Sequence, residues 1–343
     1  MGAVLDDISF AERFARWLAA QRGVDVVVDD IEHPSVGYSS VTTLRRARSE
    51  HNGNIEDARL VVRMAPEPAG TFSDYDLSVQ HAAQVAAAGA GVPIAAPLHT
   101  ETDPTWLGAP FTVMPRVEGH IIGEVPAFDD WLVGLGTARQ ATLHDRFLEA
   151  LAAVHHADIE AAQATGVPVR DDAAELAYWD DYLEWSADGD PVPELVGALA
   201  WCRSHAPKRT APPMVLRWGD VRLGNIVFGD DLLPRAILDW DMAAIGVPEH
   251  DVAWFTMLDF VITTFAGRRV DGFPDRAGLI ARYERLATHP LEHMDWYETF
   301  ALLRSTAILA RIGHLEMRAG REPVMNVTGS PILALLVERT SGS

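Results

Sequence analysis

Apolar positions along this chain change period part-way, and the change divides it into two kinds of structure. Near the start, ISFAERFARWLAAQ places its large apolar side chains three and four residues apart, which predicts an amphipathic helix. VDVVVDDIEH, SVGYSSVTTLRRA and ARLVVRMAP then read as strands, the last strongly apolar, and SVQHAAQVAAAG as a helix with an alanine-rich face. Between Pro93 and Gly119, PIAAPLHTE and GAPFTVMPRVEG read as two more strands. These elements predict a five-stranded antiparallel sheet with one packed helix. After Gly119 the pattern becomes mainly helical: FLEALAAVHHADIEAA, ELAYWDDYLEW, VPELVGALAWCRSH, DVAWFTMLDFVITTF and WYETFALLRSTAILARIGHLEMRA all carry helical spacing. Neither an internal repeat nor a low-complexity linker interrupts the chain. The expected division is therefore a hinge near residues 114 to 119, with an N-terminal unit over 1–117 and a C-terminal unit over 118–343. The fold class is α+β.

Composition narrows the partners. The 343 residues, 48% of them hydrophobic, suffice for two cored units. A net charge of −21 argues against nucleic acid or an anionic membrane as partner. The single cysteine, Cys202, cannot form an internal disulfide, and no apolar run approaches a membrane span of about twenty residues. MGAVLDDISFAERF has early acids and no long apolar run, unlike a signal peptide. A cytoplasmic location is the expectation. Lys208 is the only lysine, so a fixed positive charge elsewhere must come from arginine.

Candidate chemistry concentrates in WGDVRLGN, residues 218 to 225, set between the apolar runs MVL and IVF. Ile226 to Phe228 reads as one strand, Gly229-Asp230-Asp231 as a turn, and Arg235 to Leu238 as the returning strand. Asn225 and Asp239 then sit at the open end of this hairpin, where neighbouring strands lie about 4.8 Å apart. An amide oxygen and a carboxylate placed there suit a hard cation such as Mg²⁺, which keeps its remaining positions for water and phosphate. Asp220, on the loop feeding the hairpin, is placed to accept a proton from a hydroxyl nucleophile. Arg222, two residues on, can offset charge on a transferring phosphoryl group. D-x-x-x-x-N alone arises often by chance, and a polar loop with an Asn-capped hairpin would explain it. The flanking apolar arms and the following LDW make an enzyme the stronger reading.

LRWGDVRLGNIVF and AILDWDMAAIGVPEHDVAW together resemble the signature of the aminoglycoside phosphotransferase family. The similarity is to the bacterial branch that resembles the kinase-like part of long acyl-CoA dehydrogenase fusions. The family pattern is H-G-D-x-x-x-x-N, an apolar residue followed by D-W, then G-x-P-x-x-D-L-A. The resemblance implies a bilobal protein-kinase-like fold, with a small antiparallel-sheet N-lobe and a larger, mainly helical C-lobe. It implies ATP or GTP with Mg²⁺, and phosphoryl transfer to a hydroxyl. On that pattern Asp220 is the base, Asn225 and Asp239 are the metal ligands, and Asp251 braces the catalytic loop from beneath or caps the next helix. Asp241 reads as a solvated or structural acid. VGYSSVTTLRR resembles the nucleotide loop, which assigns Gly37, Ser39 and Ser40 to phosphate binding. LVVRMAP resembles the anchoring strand, and GAPFTVMPRVEG the hinge.

Three positions depart from the family. Trp218 replaces the usual histidine, and is expected to act as a packing wedge with its indole N–H on a nearby carbonyl. Arg63 stands where the family has lysine; a guanidinium binds phosphate oxygens at least as well. Gln80 falls where a glutamate usually pairs with that cation, and Glu67, Asp74 or Asp76 are candidates to supply the charge. The hinge offers adenine a backbone carbonyl at Pro115 and an N–H at Val117, with Met114 facing the base; a core strand ending at a proline explains the same residues. YWDDYLEWSADGD, with Glu292, Asp295, Trp296 and Tyr297, suits a cationic sugar-like acceptor. The preferred reading of these residues is plainer, a solvated helix face over an aromatic core stripe. The expected function is a small-molecule kinase acting on an aminoglycoside-like or other hydroxylated metabolite. The alternative is a nucleotide-binding pseudokinase serving as a regulatory module.

Overall fold

A computed structural model describes residues 7–32, 40–51, 54–66, 70–73, 75–96, 99–287, 289–323 and 326–342. The chain divides into two compact units, one of Met1–His81 with Ala95–Val117, the other of Ala82–Ile94 with Glu118–Ser343.

In the first unit, helix α1 (Asp7–Arg22) leads into strands β1 (Val26–Glu32), β2 (Val41–His51) and β3 (Asn54–Met64). β4 (His99–Glu101) and β5 (Phe111–Pro115) complete a five-stranded antiparallel sheet of order β1-β2-β3-β5-β4. α1 turns Phe10, Phe14, Trp17 and Leu18, spaced four, three and one apart, onto the sheet, where they form one cluster with Ala47, Leu60, Val62, Phe111 and Val113. Trp17 packs edge-on against Phe111, and its indole N–H donates to Glu101 at 3.0 Å. The helix that shares the sheet's core is thus the first one. α2 (Leu77–Gly89) is divided between the units after His81.

The second unit is mostly helical. α3 (Asp130–Gly134), α4 (Thr137–His155), α5 (Ile159–Ala164), α6 (Asp172–Ser186) and α7 (Pro193–Ser204) precede a group of short strands. β7 (Val215–Arg217) pairs with β10 (Ala244–Gly246), while β6 (His120–Ile121), β8 (Ile226–Phe228) and β9 (Pro234–Ile237) form a three-stranded sheet. α8 (Glu249–Ala266), α9 (Arg276–Ala287), α10 (Met294–Arg318) and α11 (Pro331–Ser341) follow. FLEALAAVHHADIEAA is two helices and not one. α4 ends at His155, and Asp158 caps α5 by accepting the N–H of Ala161 at 3.0 Å. A side chain that satisfies the first free N–H groups of a new helix competes with continuing the old one. Among the described residues, no helix is long and apolar enough to cross a membrane.

Candidate functional site

The hairpin anticipated from WGDVRLGN is present. β8 and β9 pair in antiparallel register, and Leu238 donates its N–H to the Asn225 carbonyl at 2.8 Å, closing the open end. The start of the loop before it is held residue by residue. Arg217, the last residue of β7, is tied to buried Glu175 at 2.6 Å. Trp218 is fully buried, and its indole N–H donates to the carbonyls of Leu238 (2.8 Å) and Asp239 (3.0 Å), binding the loop to the far arm of the hairpin. Gly219 has φ +96°, and a Cβ there would lie 2.5 Å from that of Met242, so only glycine fits. Beneath the loop, the buried Asp251 carboxylate accepts from Trp218 N (2.7 Å), Gly219 N (3.1 Å) and His155 Nε2 (3.0 Å). The α8 N-cap is Pro248, so Asp251 serves the loop and does not cap its own helix.

This support delivers Asp220 in one orientation. Its Oδ1 accepts from the Trp254 indole at 2.9 Å and its Oδ2 from the Asn225 amide at 2.7 Å. Arg222 Nε lies 3.2 Å from Oδ2, and the same guanidinium pairs with Glu124 at 2.5 Å. The Asp220 side chain is 21% exposed, enough to meet a solute. Burial pushes its carboxyl above the ordinary value and the neighbouring Asp239 charge pushes the same way, against Arg222 and the two hydrogen bonds. Asp239 holds a left-handed backbone conformation, φ +58°, unusual for a non-glycine residue.

These residues fit a divalent cation. The Asn225 amide nitrogen is occupied by Asp220, which directs its oxygen elsewhere, and the Asp220–Asp239 repulsion is what a cation would relieve. Both donors are hard oxygens. Among the described residues no group of three or more His, Cys, Asp or Glu side chains could hold a metal. A cation with two protein ligands, its other positions left to water and phosphate, suits this better than a closed protein cage.

In the first unit, Arg63 is half-buried on β3 between Thr42 of β2 and Thr112 of β5, with Nε and Nη2 each 3.3 Å from Ser40 Oγ. Gly37 and Ser39 lie outside the described residues, as do Glu67 and Asp74. Gln80 is buried on α2, and Asp76 is exposed just before that helix. Met114 is buried opposite Val61. Arg116 gives its N–H to the Arg59 carbonyl at 2.9 Å. Extended backbone alternates its polar groups, so Pro115, the last residue of β5, directs its carbonyl to the opposite side, beyond the last β4–β5 pair at Val113.

A pocket opens in the second unit beside Arg222, lined by Gly123, Glu124, Pro126 and Ala127, by Leu223 and Gly224, by one face of α8, and by Arg268, Val270 and Phe273. The aromatic and acidic residues of α6 and α10 take no part in it. Trp179, Tyr182, Trp296 and Tyr297 are core, Glu292 and Asp295 are exposed and paired with Arg209 and Arg276, and Asp180 pairs with Arg203. The solvated face over an aromatic stripe is what the structure contains. Sequence reading missed Trp254, Glu124 and His155. Trp254 had a signal, lying three residues after Asp251 and so on the same helix face. Glu124, 98 residues from Arg222, had none.

Comparison with known proteins places the chain in a family. Residues 30–289 match the model of the phosphotransferase enzyme family. This chain belongs to that family. Membership carries the protein-kinase-like fold of that family. Among curated relatives, acyl-CoA dehydrogenase family member 10 of Mus musculus is 25% identical over 269 residues, covering 74% of this chain and 24% of that protein. Family member 11 of Homo sapiens is 23% identical over 232 residues, 67% of this chain and 29% of that protein. The chain thus spans about a quarter of the length of the curated relatives it matches. A solved Ralstonia eutropha protein described as an aminoglycoside phosphotransferase has TM-score 0.70 and 21% identity, covering 96% of this chain and 98% of that one. A thermostable mutant of aminoglycoside phosphotransferase APH(4)-Ia, in ternary complex with ADP and hygromycin B, has TM-score 0.57 and 16% identity, covering 96% and 99%. A GDP and kanamycin complex of an aminoglycoside 2″-phosphotransferase has TM-score 0.54 and 16% identity, again covering 96% and 99%. These likenesses establish the phosphotransferase fold.

Proposed function

We propose that this phosphotransferase moves the γ-phosphoryl group of ATP or GTP to a hydroxyl of a small molecule, with Asp220 as the base. The observation that supports this most is the fixing of both Asp220 oxygens, by Trp254 and Asn225, beside the Arg222 guanidinium. A carboxylate held at both ends spends little free energy on orientation when a hydroxyl arrives. The acceptor oxygen attacks the γ-phosphorus, the bond to the β–γ bridging oxygen breaks, and that oxygen leaves with the nucleoside diphosphate. Asp220 takes the hydroxyl proton. Arg222 faces the charge that spreads over the transferring group.

Asn225, through its amide oxygen, and Asp239 would hold Mg²⁺, which neutralises phosphate charge when bound. Arg63 would bind triphosphate oxygens, with Ser40 steadying its guanidinium, and Pro115 and Val117 would offer adenine or guanine a carbonyl and an N–H. Two of the fold neighbours hold ADP with hygromycin B and GDP with kanamycin, so both nucleotides and both antibiotics belong in the first screen. That screen measures ATP- and GTP-dependent phosphorylation of aminoglycosides and hydroxyacyl compounds, with and without Mg²⁺. Transfer should require the cation, and Asp220→Asn should lower turnover about 10²–10⁴-fold with nucleotide affinity nearly unchanged. Asp239→Ala should remove the Mg²⁺-dependent tightening of nucleotide. Nucleotide binding with no transfer to any acceptor would overturn this reading in favour of a regulatory, nucleotide-binding role, for which the uncharged Gln80 speaks.

A further inference from the structure

The pocket beside Arg222 is built on a single face of α8. Phe255, Leu258, Asp259, Ile262 and Thr263 line it, with the three-and-four spacing that keeps side chains on one side of a helix. The first turns of that same face carry Asp251, which braces the catalytic loop, and Trp254, which holds Asp220. α8 therefore runs from the proposed base outward along the pocket. Nine residues separate Trp254 from Thr263, about 13 Å at the helical rise. Arg222 closes the near end, since it both lines the pocket and touches Asp220.

Both carboxylates that line this space are already matched, and Arg268 adds a further positive charge to it. Glu124 is paired with Arg222, and Asp259 with Arg269 at 2.7 Å. The opposite wall is Pro126, Ala127, Val270 and Phe273. A polycationic sugar needs unmatched carboxylates, and this lining offers none, although the chain as a whole carries −21. Burying ammonium groups against apolar walls without partners would be unfavourable.

We propose that the acceptor is an alcohol with an apolar body, seated along this face of α8 with its hydroxyl at Asp220. The inference rests on the phosphotransfer reading above and adds the acceptor's chemical class. The hydroxyl oxygen forms the new bond to the γ-phosphorus, its proton goes to Asp220, and the nucleoside diphosphate leaves with the bridging oxygen. Leu258 and Ile262 set specificity by covering the body.

The test uses 1,2-diols from propanediol to octanediol, which present primary and secondary hydroxyls on a lengthening apolar chain, with kanamycin as the polycationic comparison. With Mg²⁺ and ATP or GTP, kcat/KM should rise about fourfold for each methylene that the pocket covers. 1,2-Octanediol should also raise the melting temperature without nucleotide, so that binding is read apart from transfer. Leu258→Asp should flatten the chain-length series and abolish the octanediol-dependent shift. Ile262→Trp, which fills the space without adding charge, should shorten the longest diol accepted, and it keeps the test decisive if the aspartate variant fails to fold. Transfer that is indifferent to chain length, or that favours kanamycin over octanediol, overturns the apolar class and leaves phosphotransfer standing. Leu258-dependent octanediol binding with no transfer to any acceptor upholds the pocket and overturns the transfer reading.

Discussion

Removing the Asp251 carboxylate should be among the most damaging single changes to this protein, and the structure supplies the magnitude. The side chain is 1% exposed and accepts three hydrogen bonds, from Trp218 N, Gly219 N and His155 Nε2. Asp251→Ala leaves two backbone donors and one imidazole nitrogen buried without that acceptor. Each unsatisfied buried group costs about 1–3 kcal/mol, and a water filling the small space would recover part of it, so the total is about 3–6 kcal/mol. For a unit of this size that corresponds to roughly 10–20 °C in melting temperature. Asp251→Asn keeps one accepting oxygen but turns an NH₂ toward an N–H, and should fall between wild type and alanine. Both variants should also lose turnover, because Trp218 and Gly219 position Asp220. Differential scanning calorimetry with steady-state kinetics measures this, and Asp180→Ala, which removes an exposed ion pair with Arg203, is the control expected to shift little. A melting temperature for Asp251→Ala within 3 °C of wild type, with activity retained, would refute the bracing role. The effect should not vary between pH 5 and 7. Burial raises the Asp251 carboxyl, but the His155 hydrogen bond, nearby positive charge and the Trp218 N–H outweigh it and hold the pKa low. A depressed carboxyl contributes stability above its unfolded value and loses it only as pH falls through the folded value, in strong acid.

The acid limb nearer neutrality should come from His144, which is buried, lacks a partner at Nδ1, and is pulled down to about 3 by burial and by the charges of Arg282 and Arg269. Its folded pKa lies below the unfolded 6.5, so stability is full above pH 6.5 and falls by about 1.4 kcal/mol per pH unit below it. Urea unfolding at pH 7 and pH 5 should show wild type losing about 2 kcal/mol more than His144→Leu, whose remaining loss includes buried His250, also lowered by burial; identical losses would remove His144 from the account. Trp254→Phe keeps the ring beneath Arg304 but deletes the donor to Asp220 Oδ1. It should lower kcat about tenfold, the worth of a hydrogen bond to a charged group, with KM for nucleotide and melting temperature nearly unchanged. Unaltered kcat would mean that Asp220 needs no orientation from α8. Arg63→Ala should weaken triphosphate binding more than nucleoside binding in calorimetric titration, and Arg63→Lys should recover part of the loss; equal triphosphate affinity would reduce Arg63 to a strand residue.

What the amino-acid sequence determined by itself was local. The five strands of the first unit, the hairpin from Ile226 to Ile237, and the placing of Asn225 and Asp239 at its open end all depend on alternation, turn residues and short separations. The wedge role of Trp218 was legible for the same reason, since its acceptors at Leu238 and Asp239 lie on the arm that the hairpin returns to it. The contacts that give the loop its working form are long-range. Trp254 reaches Asp220 across 34 residues, His155 reaches Asp251 across 96, and Glu124 reaches Arg222 across 98. Composition names which side chains could meet, but only the packing of helices decides which do. The same limit applies to the proposed acceptor site. Acids and rings on α6 and at the start of α10 left a cationic ligand as the second reading, and the plainer one matches what the structure contains: Trp179, Tyr182, Trp296 and Tyr297 fill the core, while Asp180, Glu292 and Asp295 pair on the surface. The pocket formed instead on α8, whose apolar stripe in the sequence is indistinguishable from an ordinary core face. Which part of a stripe meets protein and which meets a cavity depends on what the rest of the chain leaves uncovered, and that is settled only when the tertiary structure closes.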